Sequence, residues 1–452
     1  MEIFIVTVFV LGYLAITLEH NLKIDKLIPA LIMMAVAWAA IAFGLDNFPT
    51  WFDSHNGELV EGFSSLPLEG HDGSKQAWFE KTLLHHFGKT CEILIFLIGA
   101  MTIVEIIDHF NGFQTIKRII KTNKKATLLW IVCLLGFILS AIIDNLTATI
   151  VLITILRKLI KDPKLRMWYA GMIIIAANAG GAWSPIGDVT TTMLWMGHKV
   201  TAVQLIVSLL IPSLVCMIVP TIIASFIPAF KGTIEPAGSD EKISKHGTTM
   251  LIIGLSMIVF VPVFKTITHL PPYVGMMLSL GVVSLIAEFM SNRDIQLTNI
   301  DHQENINSPT FGALSKIEMP SILFFLGILM TVAALESLGL IFMFGNGVID
   351  SGLDINIFVT LLGAGSAIID NVPLVAASMG MFQLSDYPAD SNLWHFIAYA
   401  AGTGGSMLII GSAAGVVAMG MEKISFFWYV RKITLLALIG YLAGIGVFLL
   451  MQ

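Results

Sequence analysis

Apolar runs close to 20 residues long follow one another along most of this chain, separated by shorter polar stretches. An α-helix needs about that length to cross roughly 30 Å of hydrocarbon. The pattern predicts spans near 3–19, 28–44, 91–110, 168–198, 203–230, 248–265, 272–290, 320–339, 394–422 and 432–450. Two more apolar segments, 126–156 and 355–385, are interrupted near the middle by the same six residues, Ser140–Asn145 and Ser366–Asn371, both reading Ser-Ala-Ile-Ile-Asp-Asn. An Asp at the centre of a membrane helix costs about 2.5–3.5 kcal/mol on insertion scales, so a duplicated Asp in apolar surroundings demands a use.

Basic residues orient the spans, because short cytoplasmic loops collect Lys and Arg. Lys23 and Lys26 follow the first span and place the N-terminus outside; the polar loop 45–90 then falls outside and the basic run Lys117–Lys125 inside. Segment 126–156 has that run before it and Arg157, Lys158, Lys161, Lys164 and Arg166 after it. A single crossing would put one cluster outside, whereas a re-entrant hairpin keeps both inside; a long tilted helix is the alternative. Segment 355–385 is bracketed instead by Asp350, Asp354, Asp386 and Asp390, with no Lys or Arg between Ile317 and Glu422, which fits a hairpin opening outside.

The halves repeat. The hexapeptides are offset by 226 residues, and Ala176–Asp188 (AANAGGAWSPIGD) is echoed by Ala400–Ser412 (AAGTGGSMLIIGS) at an offset of 224. Phe96–Gly99 (FLIG) and Phe324–Gly327 (FFLG) precede the two hairpins. With the topology above, the repeats are inverted in the membrane. Gly180, Gly181, Pro185 and Gly187 in one span, and Gly402, Gly404, Gly405 and Gly411 in the other, predict two broken helices at the matching place. The predicted fold is therefore an all-α polytopic membrane protein of two inverted repeats, with about ten transmembrane helices, two re-entrant hairpins and two broken helices. The first repeat covers 1–230, a cytoplasmic linker 231–246, and the second repeat 247–452.

Composition agrees. Of 452 residues, 56% are hydrophobic and 12% charged, against about 25% charged in soluble proteins. The three cysteines lie in or beside apolar segments and predict no disulfide framework. The net charge of −6 averages loops on two sides of a membrane and identifies no partner. The first apolar run lacks the basic n-region and small-residue cleavage site of a signal peptide and reads as a span.

The chemistry gathers at the repeats. A carboxylate facing a cavity at membrane depth holds either a proton or a cation, and that competition couples two fluxes. Asp144, Asp188 and Asp370 are the candidate carboxylates; Asn145, Thr147, Asn178, Ser184, Thr190, Asn371, Thr403, Ser406 and Ser412 add neutral oxygens. Hard oxygens without a Cys/His set favour Na⁺ or Li⁺ over a transition metal, with Na⁺ expected at Asp144, Asn145, Asp370 and Asn371. The lesser alternative is that each Asp is only a helix N-cap residue. Glu105, Asp108 and Glu336 lie near span ends, where snorkelling explains them, and His85 and His86 fall in the external loop. A sodium-coupled anion carrier of the same fold is the alternative, although neither hairpin nor broken-span interior carries a Lys or Arg. The motif Pro-Ile-Gly-Asp at 185–188 is a poor match to the Gly-x-Gly-Asp of intramembrane aspartyl proteases, so an enzyme is not expected. A passive channel is a further reading that the sequence leaves open; whether transport stops when the proton gradient is collapsed at fixed voltage separates it from an exchanger.

The segments SAIIDNLTATIVL (140–152) and AANAGGAWSPIGDVTTTMLW (176–195) resemble the signatures of NhaD-type sodium/proton antiporters, within the ion transporter superfamily, and the likeness runs over essentially the whole chain. The resemblance implies electrogenic exchange of cytoplasmic Na⁺ or Li⁺ for external H⁺ in the cell's inner (plasma) membrane, sodium extrusion and pH homeostasis. It implies Asp144 and Asp370 as exchanging carboxylates with Asp188 close by, no cofactor beyond the transported ions, and a homodimer. The partners expected are the lipid bilayer and small cations, with no nucleic acid. Ser412 stands where Asp188 does and Gly402 where Asn178 does, so the two pseudo-symmetric sites are unequal.

Overall fold

A computed structural model describes residues 1–17, 19–53, 58–60, 62–70, 73–117, 120, 122–234, 246–295, 308–368 and 370–452. All ten predicted spans are present as helices or helix pairs. In chain order they begin with α1 (Glu2–Thr17), α2 (Leu27–Gly44) and α3 (Lys75–His109). The first hairpin is α4 (Lys125–Ile143) and α5 (Asn145–Leu159), and the first broken helix α6 (Pro163–Gly181) and α7 (Val189–Met196). Then come α8 (Ala202–Ser225), α9 (Gly247–Thr268), α10 (Pro272–Ile295), α11 (Met319–Ser337) and α12 (Leu340–Asp350). The second hairpin is α13 (Ile355–Gly365) and α14 (Asn371–Met381), the second broken helix α15 (Asn392–Gly404) and α16 (Ala413–Glu422), and α17 (Thr434–Met451) closes the chain.

Two expectations are corrected. The stretch 45–90 is not all loop: α3 begins at Lys75, capped by Ser74, whose Oγ accepts from the Ala77 N–H at 3.2 Å. His85 and His86 therefore sit on a long helix rather than in an external loop. Helix α12 was not foreseen, because its 11 residues are too short for a span and end in the polar Asn346–Asp350. A two-residue antiparallel ribbon pairs Phe52 with Leu59 and Asp53 with Glu58. Most of the predicted linker 231–246 (235–245), part of the linker 291–318 (296–307), and Arg118 and Lys121 of the basic run lie outside the described residues.

Glycines explain how the broken helices reach the hairpins. A Cβ at Gly180 would run into the carbonyl of Phe137 on α4, and one at Gly404 into the carbonyl of Gly363 on α13, so both pairs of helices touch backbone to backbone. One turn further along each hairpin, a Cβ at Gly187 would lie 2.9 Å from Ala141 Cα and one at Gly411 would lie 2.6 Å from Ala367 Cα. These contacts are the same contacts displaced by one repeat. Ser140 Oγ donates to Ala177 O at 2.6 Å, and Ser366 Oγ to Ala401 O at 3.3 Å, in the same relation.

Ion pairs at one end and hydrogen bonds at the other show the inversion. At one end of the molecule Glu422, closing α16, accepts from Arg157 Nε (2.7 Å) at the end of α5 and from Arg166 Nε (2.8 Å) at the start of α6. At the other end Lys199, just past α7, donates to Phe382 O (3.1 Å) at the end of α14, and Asp390, before α15, accepts from the Thr201 N–H at 2.7 Å. The first hairpin thus opens at the basic end and the second at the opposite end, and the two broken helices run antiparallel.

Candidate functional site

The first hairpin turns within a single residue. Asp144 has φ 74° and ψ 162°, a region that suits Gly and costs a side-chain-bearing residue about 1–3 kcal/mol. Its carboxylate caps α5: Oδ1 accepts from the Thr147 N–H at 2.7 Å and Oδ2 from Thr147 Oγ1 at 3.0 Å. That turn delivers the next side chain, Asn145, to the gap in the first broken helix. Asn145 Nδ2 donates to Asp188 Oδ2 at 2.6 Å and to Asn178 Oδ1 at 3.0 Å.

Asp188 is the hub. It is 3% exposed and caps α7, its Oδ1 accepting from the Thr190 N–H (2.9 Å) and Thr190 Oγ1 (2.8 Å). Its backbone carbonyl takes the hydroxyls of Thr191 and Thr192. Asn371, from the tip of the second hairpin, lies beside it. Both tip asparagines therefore meet on one buried carboxylate, with Asp144 and Asp370 close enough on either side to feel its charge. Asn178 carries the network across the repeats by donating to Ser412 Oγ at 3.0 Å.

Four helix N-termini come together here. Asp144, Asp188, Asp370 and Ser412 are the N-caps of α5, α7, α14 and α16, and Asp188 and Ser412 share nearly the same backbone angles (φ −151° and −147°). Helix N-termini favour negative charge, and three of the four receive it from the chain's own carboxylates.

Of the residues singled out from sequence, Asp144, Asn145, Thr147, Asn178, Asp188, Thr190, Asp370, Asn371 and Ser412 belong to this network. Three hydroxyls do not: Ser184 Oγ donates to Ala141 O (2.5 Å), Thr403 Oγ1 to Tyr399 O (2.6 Å) and Ser406 Oγ to Thr403 O (2.7 Å), all backbone carbonyls. Gly180, Gly181, Gly187, Gly404, Gly405 and Gly411 have no positive φ; they serve close approach. Pro185 lies in the break and its carbonyl accepts from Thr192 Oγ1 at 3.0 Å. Among the described residues, no three His, Cys, Asp or Glu side chains are placed to hold one metal ion together. The oxygens here suit a singly charged cation bound by one carboxylate and neutral donors.

Two cavities open at the basic end and reach the network. One of about 520 Å³ runs from Glu105, Asp108 and Lys316 to Thr147. Another of about 170 Å³ runs past Tyr13 and Glu19 to Asp370. The cavity at the opposite end, about 420 Å³, is lined by Lys199, Glu336, Met193 and Ala376 among others and by none of the network's side chains. Sequence reasoning missed one partner: Lys26, at the N-cap of α2, sits 3.3 Å from Asp370 Oδ2. The two residues are 344 apart, and no local pattern signals such a pair.

Inverted hairpin-and-broken-helix repeats around buried carboxylates define a secondary transporter. The described helices include eight long and apolar enough to cross a membrane. The Alcanivorax borkumensis YdaH transporter superposes with a TM-score of 0.55 over 93% of this chain and 95% of that one, at 14% identity, and so shares the fold. A family model described as citrate transporter, CitMHS, matches residues 13–394. Sodium/proton antiporters 1 and 2 of Arabidopsis thaliana are 39% and 37% identical over 98% of this chain, covering 71% and 97% of their own lengths. The Na⁺/H⁺ antiporter NhaD of Halomonas elongata is 29% identical over 99% of this chain and 88% of its own. The chain belongs to the CitMHS family of membrane transporters and, by these relatives, to its NhaD-type sodium/proton antiporters.

Proposed function

We propose that this protein exchanges Na⁺, and Li⁺ with it, for H⁺ across the cell's inner (plasma) membrane, with its basic end in the cytoplasm, extruding sodium and holding internal pH. The observation that carries this reading is Asp188: one buried carboxylate at which both hairpin tips and both broken helices converge. A bare anion there is expensive, so it is held by a proton or by a cation, one replacing the other. Asn145, Thr190, Asn178 and Asn371 position it and offer neutral oxygens. Asp144 and Asp370 flank it as further exchanging groups.

The convergent helix N-termini would suit an anion, which favours a sodium-coupled anion carrier as the second reading. Here three of the four ends are already neutralised by Asp144, Asp188 and Asp370, and that charge supports a cation. The salt bridges of Glu422 and the Lys199 contacts tie both hairpins and both broken helices into one unit. That unit moves against α1–α3 and α9–α12, carrying the site between the two faces.

Everted membrane vesicles with a ΔpH-sensitive dye test the exchange. NaCl and LiCl should dissipate ΔpH in the wild type. Asp188→Asn, which keeps the size of the side chain, should lose the response to background at normal expression. Wild-type vesicles silent to both salts, but active in sodium-dependent uptake of an anion, would overturn the reading in favour of the second. Cysteine crosslinks between unit and scaffold that leave turnover intact would refute the moving unit.

A further inference from the structure

Lys26 Nζ and Asp370 Oδ2 lie 3.3 Å apart, with side chains 21% and 14% exposed, at the floor of the 170 Å³ cavity. The placement is paid for locally. Lys26 sits at the N-terminus of α2, where a cation opposes the helix dipole, and it makes no cap hydrogen bond there. Its ammonium lies 4.4 Å above the Phe324 ring on α11 and reaches over to the tip of the second hairpin. Asp370 has little else to hold it: its Oδ1 accepts a long 3.4 Å bond from the Val372 N–H.

Beside the pair stands Tyr13 of α1, which lines the same cavity and feels the Asp370 charge. Its Oη is buried and has no hydrogen-bond partner among the described residues. A buried hydroxyl normally finds a partner. A cation arriving at Asp370 would supply one, since the hydroxyl oxygen can coordinate it.

We infer that Asp370 and Tyr13 form a second cation site, at the cytoplasmic mouth, and that Lys26 is its resident occupant, displaced when a transported cation loads. The inference rests on the exchange reading for the identity of that cation. It also gives the scaffold a hold on the unit: the ammonium belongs to α2 and the carboxylate to the second hairpin, so loading the site releases that hold.

Two measurements test this. In wild-type protein, zero-length carbodiimide coupling should join Lys26 to Asp370, read by mass spectrometry. The yield should fall as NaCl rises and stay level in choline chloride of equal ionic strength. In vesicles, Lys26→Gln should lower the half-saturating Na⁺ concentration about two- to fivefold, the scale of a partly exposed ion pair. Tyr13→Phe should raise the value about two- to tenfold. Opposite shifts from two neighbours are not what general loosening produces. A crosslink indifferent to Na⁺ in a protein that Na⁺ drives, or Lys26→Gln with an unchanged or higher half-saturation, overturns the inference and leaves exchange standing. If the wild type shows no Na⁺ response, exchange fails; a crosslink that still falls in NaCl upholds the cation site, and one that does not removes it too.

Discussion

At the first hairpin tip, Asp144 turns the chain in one strained residue, α4 stays helical through Ile143, and the two arms pack against each other. At the second tip the same six residues behave otherwise. Helix α13 ends at Gly365, residues 366–368 form a turn, and Asp370 sits at φ −47°, an ordinary negative value. The causes are a few residues away. Gly363 and Gly365 lower helix propensity just before the second copy, where the first has Phe137 and Leu139. Three residues past Asp144 is Thr147, with an N–H and a hydroxyl for the carboxylate; three past Asp370 is Pro373, with neither. Asp370 is left short of donors and takes Lys26. The duplicated sequence sits in two different electrostatic sites, and the neighbours that differ are these glycines and the Thr-to-Pro change.

What the two regions share should be the most costly thing to break. Gly180→Ala and Gly404→Ala each push a methyl into a backbone carbonyl of the facing hairpin. Backbone cannot move aside as a side chain can, so each should destabilise by about 1–3 kcal/mol or more, read as a lower thermal midpoint and folded yield in detergent. The two losses should be similar. A benign Gly404→Ala beside a severe Gly180→Ala would mean that the second hairpin yields where the first does not.

Much of this was legible in the sequence. Ten spans, two hairpins and two broken helices follow from apolar run length, flanking charge and the repeat, because the bilayer enforces helical backbone pairing. Asp144, Asp188 and Asp370 were legible as costly carboxylates, and their capping role as a local Asp-Asn or Asp-x-Thr pattern. Lys26 was readable only as a marker of sidedness, and Glu422 only as the end of a stretch without Lys or Arg. Each acts through a partner hundreds of residues away, for which a single sequence holds no signal. The start of α3 was missed because Lys75–Lys89 is polar, and polarity at a helix end resembles a loop.

A smaller effect separates the tips. Thr147→Val keeps the N–H that caps α5 and deletes the hydroxyl donor to Asp144 Oδ2. It should cost about 0.5–1.5 kcal/mol, and Thr147→Ser, which restores the hydroxyl, should recover most of it. Thermal midpoints of the two variants decide the matter. Equal midpoints would show that the backbone bond alone holds the first tip.

The reverse exchange has the smallest expected effect and the most to teach. Pro373→Thr gives Asp370 the N–H and hydroxyl that Asp144 has. Position 373 is in the first turn of α14, where proline is tolerated and threonine fits as well. A better cap should add about 0.5–1 kcal/mol of stability. It should also draw the carboxylate toward α14 and away from Lys26, so Lys26→Gln in a Pro373→Thr background should shift Na⁺ half-saturation less than in the wild type. Non-additivity of this kind is the mark of two groups competing for one partner. If the shifts simply add, Lys26 and the α14 cap act on Asp370 independently, and the Thr-to-Pro difference does not explain why the second tip is held by a lysine.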